Sequence, residues 1–141
     1  MVDRERASAL IEVVRAALGD LDRYALSIDA DRLRRDRDAQ NMVLHAIYAA
    51  AQGSIDLAMH IVADEALRSA TSYRDAFESL RDAGWIPEEL CAKLCGWAGL
   101  RNVIAHGYVR LDLDIVHAAL AERGQLAELL ALVAARVASV P

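Results

Sequence analysis

The residues best suited to chemistry sit together in the stretch LRNVIAHGYVRLD, which holds Arg101, Asn102, His106 and Tyr108. An arginine, an amide and a histidine suit phosphoryl chemistry: the arginine grips and neutralises a phosphate, the amide positions it, and the histidine moves protons. On a straight helix Asn102 and His106 are four residues apart and share a face, whereas Arg101 and His106 are five apart and diverge by about 140°. A single copy of the chain therefore aims the arginine and the histidine poorly at one point. Either the helix stops at Gly107 and lets His106 swing in its last turn, or a second copy supplies the matching residue across a two-fold axis. An equally open reading makes Arg101 and His106 a C-cap and interface network with no chemistry.

A second group lies in the middle of the chain. His45, Gln52, Asp56 and His60 are separated by seven, four and four residues, so on an ideal helix they fall within about 80° of one another. That polar stripe on an otherwise apolar element reads as a hydrogen-bonded seam in which Asp56 orients a histidine and lines a pocket or an interface; a plain solvent seam is the bland alternative. Asp56 and His60 could start a metal site, but the further carboxylates or histidines it would need from facing helices do not occur at suitable spacing, so no metal is expected. Cys91 and Cys95 form a lone C-x3-C, which reads as two packed thiols. His117, beside Asp112 and Asp114 near a helix start, reads as a surface residue. There is no nucleophile elbow, P-loop or dinucleotide fingerprint.

Helices must position these groups. The 141 residues suit one domain spanning 1–141, and 55% apolar residues with two Pro, one Thr and about a fifth alanine exclude an all-β fold and disorder. Net charge is −5, so contact with a polyanion must be local, and Lys93 is the one lysine among sixteen basic residues. Apolar spacing predicts helices over 3–28, 39–64, 73–83 and 87–106, and over 111–137 with a break at Gly124. The 39–64 helix is apolar around most of its circumference, as a central bundle helix must be. Residues 29–38 (DADRLRRDRD) are densely charged and short of apolar anchors; they read as a solvated surface connection or a short helix, with phosphate contact by Arg32, Arg34, Arg35 or Arg37 the sharper alternative. Ser72 is a candidate N-cap with Asp75 completing a weak capping box, Gly84 and Gly107 are candidate helix stops, and Pro87 is a helix start. The expected fold is an all-α, up-and-down bundle of about five to six helices. No apolar run is long enough to span a membrane and the start of the chain lacks a secretory pattern, so a reduced, cytoplasmic setting is expected.

The spacing R-N-x-x-A-H-x-Y resembles the R-x4-H-x-Y motif of the HepT toxins of the HEPN superfamily. The segments QGSIDLAMHIVAD and SYRDAFESLRDAGWI resemble that family's second helix and its S-Y-R-x-x-F segment, and the order of helices fits from first to last. One departure is Ala70 and Thr71 before Ser72, where the family often carries proline. The resemblance implies a homodimer whose two R-x4-H motifs face each other across a cleft, and a metal-independent endoribonuclease that activates a ribose 2′-hydroxyl against the adjacent phosphate. It implies His106 as general acid or base, Arg101 as stabiliser of the phosphorane charge and Asn102 as an orienting group; Gln52, Asp56 and His60 are the supporting stripe that the residue spacing gives. It further implies that Tyr108 receives AMP from a minimal nucleotidyltransferase (MNT-type) antitoxin, with ATP and magnesium belonging to that partner and no cofactor to this chain. The alternative is a non-catalytic dimeric scaffold that binds nucleotide or the partner.

Overall fold

The computed structural model describes residues 1–107 and 111–139. Among these the chain forms seven helices and no strand: α1 (Arg4–Ser27), α2 (Ala30–Arg35), α3 (Arg37–Asp64), α4 (Tyr73–Asp82), α5 (Glu88–Ala105), α6 (Leu113–Ala121) and α7 (Gly124–Ala138). The all-helical class is as expected, with more elements than the expected five to six. The additional element is α2, which forms inside the charged stretch because two aspartates cap it. The Asp29 carboxylate accepts from the Arg32 N–H at its start, and Asp36 closes it while capping α3 through the Asp38 and Ala39 N–H groups. Leu33 supplies the apolar anchor that the charge pattern hides, since it is fully buried.

The other termini obey local chemistry. Asp3 caps α1 through the Arg6 N–H, and Ser72 caps α4 through the Asp75 N–H. The Asp75 carboxylate does not complete the box. It accepts instead from the Thr71 N–H and hydroxyl and from Arg68, whose Nη1 stands 2.8 Å from both carboxylate oxygens. Gly84 and Gly107 end α4 and α5 with φ of 78° and 73°, the left-handed region that a side chain disfavours.

α3 lies at the centre and packs against α1, α2, α4, α5 and α7. The start of α1 meets the end of α3, where the Met1 ammonium donates to the Asp64 carbonyl at 3.0 Å and the Asp3 N–H to the Asp64 carboxylate at 2.8 Å. The two helices therefore run antiparallel. They approach closely at Gly53, where a Cβ would stand 2.8 Å from Cγ2 of Val14. Val14, Ile47, Ile55, Leu57, Ile61, Phe77, Leu80 and Leu94 fill the core with almost no exposure. None of the described helices is long and apolar enough to cross a membrane.

Candidate functional site

Arg101, one turn from the end of α5, is drawn back against α3 by side chains from three helices. Its Nε donates to Gln52 Oε1 at 2.6 Å, one terminal nitrogen donates to the Tyr48 hydroxyl at 3.2 Å, and the other donates to Asn102 Oδ1 at 3.1 Å. The guanidinium also lies against two aromatic rings, 5.1 Å from the centroid of Tyr48 and 4.9 Å from that of Tyr73. Such contacts hold a cation by the ring quadrupole without neutralising it. Every one of these partners is uncharged. Among the described residues no carboxylate pairs with Arg101, whereas Arg68 and Arg81 each grip two and Arg123 one. A guanidinium carries five N–H bonds; three are taken by the described residues, and none of those residues accepts the other two.

His106 is the C-cap of α5, exposed, with its backbone N–H donating to the Asn102 carbonyl at 3.2 Å. Arg101 and Asn102 are half-buried beside it. Arg101 is thus fixed toward α3, and His106 stands at the helix end. Tyr108 lies outside the described residues.

The polar stripe on α3 divides. Gln52 Nε2 donates to Asp56 Oδ1 at 2.8 Å, so these two residues join the Arg101 network. Asp56 orients an amide and not a histidine, which corrects the sequence-based expectation. His60 has different partners: its Nε2 lies 3.1 Å from Asp64 Oδ2 and 3.5 Å from the Asp3 carbonyl, and its side chain is only 8% exposed. It serves the α1–α3 junction because it sits two turns beyond Gln52, nearer the end of the helix where α1 begins. Asp56 and His60 do border a pocket of about 400 Å³ with Arg6, Leu10, Met59 and Asp64, and His45 is exposed. His117 is half-buried, not at the surface as expected, with Nε2 3.3 Å from the Ile28 carbonyl. No cluster among the described residues has the composition of a metal site. Cys91 and Cys95 are buried and unbridged; burial pushes the Cys91 thiol up to about 12 and raises that of Cys95 as well. They are packing residues.

Tyr48 and Tyr73 are the site residues that sequence reasoning missed. Tyr48 stands four residues before Gln52, one helical turn away, and that spacing was the available signal; Tyr73 is the tyrosine of the S-Y-R-x-x-F segment, but it lies in a different helix and nothing in the spacing ties it to Arg101.

The family model described as Ribonuclease HepT-like matches residues 14–135. The chain belongs to the HepT-like family. It is 33% identical over 88 residues to the mRNA nuclease HepT of Shewanella oneidensis, an alignment that spans 62% of this chain and 66% of that protein. Among solved structures, a toxin–antitoxin crystal structure with AMP-PNP superposes with a TM-score of 0.86 at 22% identity, covering 94% of this chain and 99% of that one. The tri-AMPylated Shewanella oneidensis HEPN toxin in complex with its MNT antitoxin gives 0.84 at 24% identity, covering 96% and 99%. YutE, a cytosolic protein of unknown function from Bacillus subtilis, gives 0.84 at 14% identity over 96% and 91%. The HepT-like bundle is therefore shared across chains of widely different sequence.

Proposed function

We propose that this chain is the toxin of a toxin–antitoxin pair and a metal-independent endoribonuclease, one HEPN-like domain over residues 1–141 that works in the cytoplasm as a homodimer. The observation that carries the reading is Arg101, held by neutral partners, with two N–H bonds that none of the described residues accepts, five residues before His106 in a HepT-like chain. The named relatives support it, since one is an mRNA nuclease and others are toxins bound to antitoxins.

In this reading the ribose 2′-oxygen attacks the adjacent phosphorus as His106 of one protomer takes its proton. The P–O5′ bond breaks, and a protonated His106, from the same or the other protomer, returns a proton to the leaving 5′-oxygen. Arg101 spends its two remaining N–H bonds on the phosphoryl oxygens, where charge accumulates in the transition state. Asn102, bonded to Arg101, orients it. Two protomers supply a paired cleft, and a local cleft is what a chain of net charge −5 needs to hold RNA.

Silencing would fall on Tyr108. Its phenol oxygen would attack the α-phosphorus of ATP on an MNT-type antitoxin, releasing pyrophosphate and leaving AMP on the tyrosine, so that bulk and negative charge block the cleft two residues from His106. ATP and magnesium would serve that partner.

The test is cleavage of RNA by the purified protein in EDTA, with Arg101→Ala and His106→Ala as controls. Cleavage that both substitutions abolish is expected; cleavage that survives either one, or none by the unsubstituted protein, refutes the catalytic reading and leaves the binding scaffold. Sedimentation should give a dimer at micromolar concentration, and mass spectrometry after incubation with antitoxin and ATP should place AMP on Tyr108. A monomer refutes the shared cleft, and an unmodified Tyr108 refutes the silencing step.

A further inference from the structure

We propose that Asp56 and Gln52 form a relay that aims Arg101, with Gln52 as a positioning residue for the cleavage reaction; this rests on reading Arg101 as the group that meets the scissile phosphate. Donors and acceptors fix the direction of the relay. An ionised carboxylate only accepts hydrogen bonds, and a glutamine amide carries one accepting oxygen and one donating nitrogen. Asp56 Oδ1 stands 2.8 Å from the Gln52 nitrogen, so the Gln52 oxygen must face the other way, and there it receives the Arg101 Nε–H at 2.6 Å. With the amide turned over, its NH2 would confront that N–H donor against donor. Asp56, one helical turn along α3 and on a different helix from the arginine, thereby decides where the Gln52 oxygen points.

The intervening amide also matters electrically. A carboxylate in direct contact, as Asp75 is with Arg68, would occupy guanidinium N–H bonds and cancel the charge meant for phosphate. Gln52 holds Arg101 through one neutral bond and keeps the anion one residue away. The Tyr48 hydroxyl secures a second N–H bond, and the guanidinium carbon lies over the Tyr48 and Tyr73 rings. A long side chain that is fixed before substrate arrives needs no ordering in the transition state.

Two readouts test the relay on the intact protein. In ¹⁵N-labelled protein the Arg101 Nε–H signal, assigned by its loss in Arg101→Lys, should exchange slowly with water. Gln52→Leu should bring it to the exchange rate of the exposed arginines, Asp56→Leu should do so in part, and Asp56→Asn, which keeps an accepting oxygen, should recover the slow exchange. The second readout is cleavage of a fluorophore- and quencher-labelled, mixed-sequence, single-stranded RNA in EDTA. Gln52→Leu should lower kcat about 10- to 100-fold, the scale of a misaimed catalytic group, with KM within about threefold. Asp56→Leu should lower kcat in the same sense and Asp56→Asn should recover most of it. A merely structural role would lower the melting temperature and give no recovery by asparagine.

The relay is overturned if Gln52→Leu leaves the Nε–H exchange unchanged, or if it cleaves at the normal rate while Arg101→Ala is inactive; in that second case the proposed function stands. If instead Arg101→Ala cleaves normally, or nothing is cleaved, the proposed function falls and the exchange rates alone decide whether Asp56 and Gln52 hold the arginine.

Discussion

Replacing Gly53 by alanine isolates the packing that sets α3 against α1. A Cβ at Gly53 would lie 2.8 Å from Val14 Cγ2 and 3.6 Å from Val13 Cγ1, against the roughly 3.5–4.0 Å at which carbon atoms rest comfortably. Val14 is fully buried and β-branched, so its rotamer has little freedom to yield and the helices must part. Overpacking of this kind costs about 1–3 kcal/mol, and a first contact so far inside the normal distance belongs in the upper half of that range. Alanine recovers about 1 kcal/mol through its better helix propensity, leaving a net loss of roughly 1–2 kcal/mol and a melting temperature lower by about 3–8 °C for a chain of this size. Gly96 is the internal control, being exposed in α5 with nothing within 4 Å of where a methyl group would stand; Gly96→Ala should stabilise by up to about 1 kcal/mol. The assay is urea unfolding followed by far-ultraviolet circular dichroism, together with the pair Gly53→Ala and Val14→Ala, whose combined cost should fall below the sum of the two. A Gly53→Ala protein as stable as Gly96→Ala would refute the reasoning.

Tyr73→Leu removes one of the two rings that hold Arg101, and since a cation–π contact at a partly exposed site is worth about 0.5–1 kcal/mol, RNA cleavage should slow roughly 2- to 5-fold; an unchanged rate would show that this ring does not contribute. The carboxyls of Asp36, Asp75 and Asp82 sit below the usual range, held there chiefly by the Ala39 N–H, the Thr71 N–H and the Arg81 guanidinium respectively. A depressed folded-state value gives stability that is present above the unfolded carboxyl range and lost as pH falls through the folded one, so the melting temperature should drop below about pH 4. Asp75→Asn should shrink that drop, and an equally steep acid limb in the variant would contradict the assignment. Cys91 and Cys95, with raised thiol values and buried sulfurs, should resist a disulfide-exchange reagent at neutral pH until the protein is unfolded; rapid labelling of the native protein would overturn their role as packing residues.

The site was legible in part. Arg101, Asn102 and His106 stand out because an arginine, an amide and a histidine near a helix end form a chemically capable set, and the glycine after them marks where the helix stops. The stripe of Gln52, Asp56 and His60 was equally visible as polarity on an apolar helix. Its division was not. Gln52 bonds Arg101 and is held by Asp56, while His60 meets Asp64 and the Asp3 carbonyl, because the neighbouring chain changes from α5 to the start of α1 within two turns of α3. Tyr48 and Tyr73 escaped notice for the same reason, since a tyrosine at helical spacing looks like core until the arginine that uses its ring is in place.

The sequence by itself determined the helical class, the ends of most helices and the residues with chemical potential. Those depend on interactions within about four positions: Asp3 with Arg6, Ser72 with Asp75, and the left-handed glycines at 84 and 107. The charged stretch at 29–38 shows the limit of even that reading, because α2 needed both its aspartate caps and the burial of Leu33 under other helices. Only the tertiary structure decided how Arg101 is held. Its partners Tyr48 and Gln52 are 53 and 49 residues away along the chain, and they meet it because the register between α3 and α5, set by how buried side chains interlock, brings one particular turn of each helix to the same place.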